Sequence, residues 1–229
     1  MSQAADAVAE QKRRAAQSAV ERVRSGMIVG LGSGTTASLA VQEIGRRLES
    51  GELTGIVGIP TSVQTKQLAD SLGIPLASLD EHRALDLTID GADQIDPRGN
   101  LIKGGGGALL REKIVAAASR RLLIVADESK LVTRLGESFP LPVEVVDFGW
   151  KTHEEPLREL GAEPVLRVDA AGEPYRSDSG HYILDCRFPD GIVDPEYVER
   201  AILCRPGVVE TGLFLGMSPE VFVGRDHSG

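Results

Sequence analysis

Short apolar runs and helical stretches alternate along the first half of the chain, and this alternation restricts the folds open to it. Met27–Leu31 is an apolar run of strand length, Gly32–Thr36 interrupts it, and Ala37–Leu48 has apolar residues on one helical face. The strand-then-helix pattern recurs at Ile56–Ile59 with a helix from Ser62, at Leu85–Ile89 with a helix at Ala108–Ala118, and at the strand Leu122–Ala126. Its repetition predicts an α/β fold with a doubly wound, mostly parallel sheet.

The pattern changes after Lys130, where Phe139–Pro142 is expected to break regular structure. Strands are predicted at Val143–Val146, Val165–Val168 and Tyr182–Cys186, and helices at His153–Leu160 and Glu196–Leu203. This order is typical of a small α+β domain. We therefore expect a Rossmann-like domain from residues 1–131 plus 208–229 and a second, smaller α+β domain at 132–207. The last apolar runs, Gly212–Leu215 and Val221–Val223, could belong to either domain. As two short strands after Pro206-Gly207, they would most simply return to the main sheet.

Composition and charge exclude several classes of partner. The 229 residues include 34 acidic and 25 basic side chains, a net charge of −9, so we expect neither nucleic acid nor a membrane as a partner. Cys186 and Cys204 fit neither a disulfide framework nor a metal-ligand spacing, and the polar start of the chain lacks the apolar core of a signal peptide. These features predict a cytoplasmic protein with a small ligand.

Polar groups follow four of the predicted strands, at Gly32–Thr36, Pro60–Ser62, Asp90–Asp93 and Ala126–Lys130. Ligands of open parallel sheets bind at the carboxyl ends of the strands. The first turn suits a phosphate, because backbone N–H groups and a helix N-terminus would face the anion. A dinucleotide site or a nucleotide P-loop is not indicated, since the third glycine, the ribose-binding acid and the Gly-Lys-Ser/Thr motif are missing. A tight turn with a purely structural role is the alternative.

Asp90 and Asp93 flank Gly91 and Ala92 and allow three interpretations: a surface Asx-turn, a divalent-metal site or a proton-handling pair of carboxylates. The metal interpretation lacks partners. The four histidines, none paired at ligand spacing, are His82, His153, His181 and His227. We therefore expect no metal.

Lys103 precedes four glycines, Gly104–Gly107, and a helix that carries Glu112. Consecutive glycines have a large conformational-entropy cost, which is acceptable where backbone must come close to a ligand. Lys103 would neutralise an oxyanion or a phosphate there. The alternatives are a flexible linker and an ordinary solvated glutamate near a helix start.

Together these segments resemble the A-type ribose-5-phosphate isomerase family over nearly the whole chain. The matching motifs are Gly30–Thr36, Pro60–Ser62, Asp90–Asp93, Lys103–Gly106, Arg111–Lys113, Ala126-Asp127 with Lys130, Phe139–Glu144 and Pro206–Phe214. Gln94, Gly107 and Leu110 depart from the family, which more often has Glu, Ala and Thr at these positions.

The resemblance implies an aldose-ketose isomerase that interconverts D-ribose 5-phosphate and D-ribulose 5-phosphate through a cis-enediolate, without metal or other cofactor. Glu112 would be the general base and Lys103 would stabilise the enediolate, with the amides of Gly104, Gly105 and Gly106. Asp90 and Asp93, joined by Gly91 and Ala92, would handle the hydroxyl protons of the sugar.

The 5-phosphate would be bound by Ser33, Gly34, Thr35 and Thr36, with positive charge added by Lys130 and Lys12. Lys12 begins a basic run that is also typical of a solvated helix start. The partner would be a small sugar phosphate, and the resemblance implies a homodimer or homotetramer, with the small domain as the expected contact.

Two other functions use the same groups. In a coenzyme-A transferase on a related scaffold, Glu112 would be a covalent nucleophile. A sugar-phosphate-sensing module of a regulator would need an output domain, and the sequence contains neither a helix-turn-helix pattern nor a basic face.

Overall fold

The computed structural model describes residues 3–224. His227, one of the four histidines considered as metal ligands, lies outside the described residues. The helices are α1 (Gln3–Val20), α2 (Thr35–Glu49), α3 (Val63–Ser71), α4 (Leu109–Ala117), α5 (Glu154–Glu159) and α6 (Pro195–Leu203). The strands are β1 (Ile28–Leu31), β2 (Val57–Pro60), β3 (Leu87–Gly91), β4 (Gln94–Ile95), β5 (Leu101–Ile102), β6 (Leu122–Asp127), β7 (Leu141–Val145), β8 (Glu163–Leu166), β9 (Tyr182–Arg187), β10 (Val208–Thr211), β11 (Leu213–Phe214) and β12 (Glu220–Gly224).

The described chain forms two compact units. Unit 1 contains the residues up to Ala92, Arg111–Lys130, and those from Met217 onward. Unit 2 contains Asp93–Leu110 and Leu131–Gly216.

Unit 1 is built on a five-stranded sheet with the order β12-β6-β3-β1-β2, in which every pairing is parallel. The last residue of β1, Leu31, pairs with Pro60 of β2 and with Ile89 of β3, so these strands end at the same edge. The predicted parallel sheet is therefore confirmed, and its carboxyl edge holds the turns that follow β1, β2, β3 and β6.

Helices cover both faces of this sheet, and its strands are accordingly buried along almost their whole length. Val29 and Leu31 of β1 pack in one buried cluster with Ala16 of α1 and Ile44 of α2. On the other face, Val115 of α4 forms a separate buried cluster with Ile59 of β2 and with Leu85, and Ile28 packs against this cluster. This arrangement is the predicted doubly wound architecture.

Unit 2 contains a four-stranded antiparallel sheet with the order β10-β7-β9-β8 and a three-stranded sheet with the order β11-β5-β4. Its core joins strand residues such as Val143 and Leu184 to Leu157 of α5 and Ile202 of α6. The predicted second α+β fold is confirmed. Phe139–Pro142 does not break regular structure throughout, because β7 already begins at Leu141. Pro142 is tolerated near the start of the strand, where its carbonyl still accepts a hydrogen bond from Gly212 N at 2.7 Å.

The two units divide the chain differently from the expected domains. Residues 93–110 fall in unit 2 because β5 pairs with β11, Leu213 lying opposite Ile102. Residues 208–216 also fall there because β10 pairs with β7. The expectation that two strands after Pro206-Gly207 return to the main sheet was wrong for the first, because β11 pairs in the three-stranded sheet, and right for the second, β12. Within residues 3–224, no helix is both long enough and apolar enough to span a bilayer.

Candidate active site

The turn after β1 leaves the start of α2 open to an anion. Gly34 is the N-cap residue of α2, and no side chain caps this end, whereas Ser62 caps α3 by accepting from Thr65 N at 3.0 Å. The first N–H groups of a helix have no partner within the helix, and the helix dipole makes this end positive. Gly34 and Thr35 are exposed and Thr36 is buried. The predicted phosphate turn therefore has the geometry of an anion site.

Ser33 is fixed in this turn by hydroxyls from the next strand and helix. Its Oγ lies 2.7 Å from Thr61 Oγ1 and 3.3 Å from Thr65 Oγ1. Thr61 donates to the Leu31 carbonyl and Thr65 to the Gly32 carbonyl, each at 3.0 Å. Thr65 was missed by the sequence analysis, because a threonine on a helix gives no local sign that it reaches a loop 33 residues away.

Asp90 is completely buried at the end of β3. Its Oδ1 accepts hydrogen bonds from Ser33 N at 3.0 Å and Gly91 N at 2.7 Å. Gly32 comes so close that a Cβ at this position would collide with the Asp90 carboxyl group. Burial excludes the surface Asx-turn interpretation and joins Asp90 directly to the phosphate turn. Among the described residues, no three His, Cys, Asp or Glu side chains are grouped so as to hold a metal ion.

Lys12 of α1 reaches the phosphate turn. Its Nζ lies 3.3 Å from Thr35 Oγ1 and 3.8 Å from Asp127 Oδ2, and the Asp127 side chain is only 2% exposed. Asp127 is itself held by Ser129, whose backbone N–H donates to Oδ1 at 3.0 Å. These contacts distinguish Lys12 from an ordinary solvated lysine at a helix start. Lys130 is half-buried at the end of a short 3-10 helix, and its side chain makes no hydrogen bond to the turn within residues 3–224.

Glu112 lies in the first turn of α4 and is 4% exposed. Glutamate is rarely so buried unless it is paired or functional. Glu112 lies at the positive end of the helix dipole, and burial shields it from bulk water. A carboxylate of this kind is suited to exchange protons with a bound ligand.

Unit 2 contains the predicted lysine and the glycine loop, Gly104–Gly107. Lys103 follows β5, is 2% exposed, and its Nζ lies 5.5 Å from the centroid of the Phe214 ring. Such a cation–π contact helps to hold a positive charge away from water. Phe214 was not singled out by the sequence analysis, and only the pairing of β5 with β11 brings it to Lys103.

Asp93 braces the glycine loop in unit 2. Its Oδ2 accepts a hydrogen bond from Gly105 N at 2.8 Å, and its own backbone N–H donates to the Ile102 carbonyl at 2.8 Å. Gly104 is buried, whereas Gly105 and Gly106 are exposed. The carbonyls of Gly104 and Gly105 accept hydrogen bonds from Arg167, another residue that the sequence analysis missed. The loop is therefore held at several points and is not a flexible linker.

Comparisons with known proteins agree with this chemistry. Residues 57–228 match the model of the family described as ribose 5-phosphate isomerase A (phosphoriboisomerase A). Ribose-5-phosphate isomerase A of Roseiflexus castenholzii is 55% identical over 90% of this chain and 88% of that protein. The corresponding protein of Thermosynechococcus vestitus is 49% identical over 98% and 95% of the two chains.

Solved structures agree with the sequence comparisons. A D-ribose-5-phosphate isomerase in complex with phospho-erythronic acid is similar with a TM-score of 0.92 at 40% identity, over 95% of each chain. Ribose 5-phosphate isomerase A of Methanocaldococcus jannaschii has a TM-score of 0.88 at 41% identity, over 94% of each chain. The chain belongs to the ribose 5-phosphate isomerase A family.

Proposed function

We propose that this chain interconverts D-ribose 5-phosphate and D-ribulose 5-phosphate through a cis-enediolate, with Glu112 as the general base. The observation that carries the proposal is the burial of three ionisable side chains within one short stretch of sequence: Asp90 is 0%, Lys103 2% and Glu112 4% exposed. Such groups are expensive to bury, and they cluster where proton transfer is required.

Glu112 removes the proton from C2 of the aldose and returns it to C1, so the carbonyl moves from C1 to C2. Its burial supports this role, because a base in a water-poor site can hold the proton between its removal from C2 and its delivery to C1. The start of α4 places it directly after the glycine loop in the chain.

Lys103 and the amides of the glycine loop stabilise the negative charge that develops on the enediolate oxygen, with the Gly105 amide already donating to Asp93. Preorganised donors of this kind are each worth about 3 kcal/mol in a water-poor site. Support comes from the fixed state of the loop, which Asp93 binds through Gly105 N.

Asp90 moves the hydroxyl proton between O1 and O2 or assists ring opening, and Asp93 orients a sugar hydroxyl. Each carboxylate accepts backbone N–H groups through one oxygen, and these hydrogen bonds fix the orientation of the carboxylate. An Asp90→Asn variant with undiminished activity would remove Asp90 from this role.

Ser33, Gly34, Thr35 and Thr36 bind the 5-phosphate at the uncapped end of α2, and Lys12 and Lys130 contribute positive charge. A related structure contains phospho-erythronic acid, which is a phosphorylated sugar acid of the same ligand class. The substrate is a small sugar phosphate, and the enzyme needs no metal or organic cofactor for this reaction.

We also propose that the protein is a homodimer or homotetramer in the cytoplasm, with unit 2 providing the contact between subunits. Large apolar side chains that are exposed in unit 2, among them Phe148, Val165 and Val193, support this contact, and so does the family likeness. Light scattering on the purified chain checks it, and a monomeric mass would contradict it.

Membership of the isomerase family favours this function over a coenzyme-A transferase or a sensing module.

A Glu112→Gln variant tests the assignment of the base. Glutamine has the same shape but cannot accept the proton, so we expect the turnover number to fall by about 10²–10⁴-fold. Glu49→Gln is the control, because Glu49 is exposed at the end of α2, and it should retain the wild-type rate. Near-normal turnover by a folded Glu112→Gln variant would show that another group is the base.

A further inference from the structure

The glycine loop of unit 2 is held by a residue far along the chain. We propose that Arg167, fixed by Asp185, is a positioning residue that orients the loop so that its amide groups face the developing enediolate oxygen. This inference rests on the proposed function, because it assigns how the oxyanion-stabilising loop is kept in its active shape.

The guanidinium group of Arg167 divides its donors between two partners. Nε and Nη2 donate to the two oxygens of Asp185, at 2.8 and 2.5 Å. Nη1 donates to the Gly104 carbonyl at 3.0 Å and to the Gly105 carbonyl at 3.2 Å. The bidentate pair with Asp185 fixes the plane of the guanidinium, and this plane fixes the direction of Nη1.

Burial of this pair argues for a role beyond stability. The side chains of Arg167 and Asp185 are only 14% and 25% exposed. An ion pair withdrawn from water gains little net stability over apolar residues of similar size. What the pair provides instead is a fixed, charged donor directed at two peptide carbonyls.

Tyr175 extends the same support to the next glycine. Its backbone N–H donates to the Arg167 carbonyl at 2.9 Å, and its hydroxyl donates to the Gly106 carbonyl at 3.4 Å. Burial raises the pKa of Tyr175 above its usual value, so the phenol keeps the proton that it donates. Gly107 has a φ of +80°, and a Cβ there would collide with the Tyr175 hydroxyl, which explains why this chain has glycine at that position.

The direction of the loop amides follows from the planarity of the peptide. In a trans peptide, the carbonyl of one residue and the N–H of the next point to opposite sides. The carbonyls of Gly104 and Gly105 point at Arg167, so the N–H groups of Gly105 and Gly106 point away from it. Gly105 N is used by Asp93. The Gly106 amide is the donor that this arrangement presents to an oxyanion.

Arg167→Met tests the proposal because it keeps much of the side-chain length and removes every donor. Without the contacts of Arg167, the glycine loop samples more conformations. Donors that are not preorganised lose most of their effect on the transition state. We expect the turnover number for ribose 5-phosphate to fall about 10–100-fold, while the Michaelis constant stays within about threefold because ground-state binding depends on the phosphate turn.

Arg176→Met is the matched control. Arg176 lies in the same hairpin and also binds a carboxylate and a backbone carbonyl, Asp147 Oδ2 at 3.0 Å and Gly180 O at 2.7 Å. It makes no hydrogen bond to the glycine loop among the described residues. We expect wild-type turnover from this variant. A loss of turnover in Arg167→Met would then be specific to Arg167 and not a general effect of removing an arginine from the hairpin.

Arg167→Lys supplies the second variant, since it keeps the charge but cannot bind Asp185 bidentately and the loop carbonyls at once. We expect it to remain folded and to lose turnover at a nearly unchanged Michaelis constant. Full turnover by a folded Arg167→Lys or Arg167→Met variant would overturn the proposal, and so would a rise in the Michaelis constant alone, which would indicate contact with substrate. An inactive wild-type protein in the same assay would instead contradict the proposed function.

Discussion

Three consecutive cations on α1 form one basic run in the sequence, but only one of them reaches the phosphate turn. Arg13 and Arg14 bind Glu10 on the surface of the helix, at 3.4 and 3.1 Å. Lys12 lies one position earlier and reaches Thr35 and the buried Asp127. All three residues carry the same charge, so the position of each residue around the helix determines which of them reaches the phosphate turn.

Lys12→Met should weaken binding of the sugar phosphate without impairing the chemical step. The lost contact is partly exposed, so we expect a rise in the Michaelis constant of about 3–10-fold, corresponding to roughly 1 kcal/mol, with little change in turnover number. Arg13→Met is the control and should leave both constants unchanged. Steady-state kinetics at fixed ionic strength measures the difference, and equal Michaelis constants for the two variants would exclude Lys12 from the site.

Residues at the site were predictable where the chain brings them together locally. The phosphate turn follows β1 and Asp90 lies at the end of β3, and the parallel pairing of these strands explains why Asp90 meets Ser33. Lys103 was recognised from the four glycines that follow it. Thr65 and Arg167 were not predictable, because their contacts depend on side chains that cross from other elements. No local pattern marks one arginine of a hairpin as the one that binds the glycine loop.

At the level of elements, sequence signals defined the centres of helices and strands better than their ends. The α6 helix was predicted to start at Glu196 and begins at Pro195, with Asp194 as the N-cap residue. The short strands β4, β5 and β10 were not predicted, because each contains at most two apolar residues and so forms no recognisable apolar run. Their pairing, and not their own sequence, makes them strands.

Asp194→Ala should destabilise the protein through α6. The Asp194 side chain accepts a hydrogen bond from Tyr197 N at 2.9 Å, and loss of an N-cap costs about 1 kcal/mol. We expect a lower urea midpoint for Asp194→Ala, and Asp194→Asn should recover most of the loss because asparagine also caps well. Equal midpoints for the alanine and asparagine variants would show that capping does not stabilise this helix.

At the level of the whole molecule, the chain passes between its two units at residues 92, 110, 130 and 216. The expected division, with a main domain at 1–131 plus 208–229, missed the excursion of residues 93–110 into unit 2, since the pairing of β5 with β11 joins residues more than a hundred positions apart. The sequence patterns report local periodicity, and long-range pairing leaves no trace in them.

Global stability should depend on pH through His153. Burial, reinforced by the nearby Arg205, lowers the pKa of His153 below its ordinary value of 6.5. The folded state therefore favours the neutral ring, and this stability is present above about pH 6.5 and is lost as the pH falls through the lowered value. We expect the urea midpoint of the wild type to fall more steeply between pH 7.5 and 5 than that of His153→Gln. Parallel pH profiles would contradict this assignment.

The transfer of one proton from C2 to C1 by Glu112 is the central claim, and isotope exchange measures it directly. Ribose 5-phosphate is incubated with the enzyme in deuterium oxide, and the ketose is analysed by NMR for deuterium at C1. We predict ketose formation in the wild type, with deuterium at C1 in those turnovers in which the proton on Glu112 exchanges with solvent before it is returned, and a loss of both turnover and labelling in Glu112→Gln. Ketose formation and C1 labelling at the wild-type rate in Glu112→Gln, or no ketose from the wild type, would contradict the account.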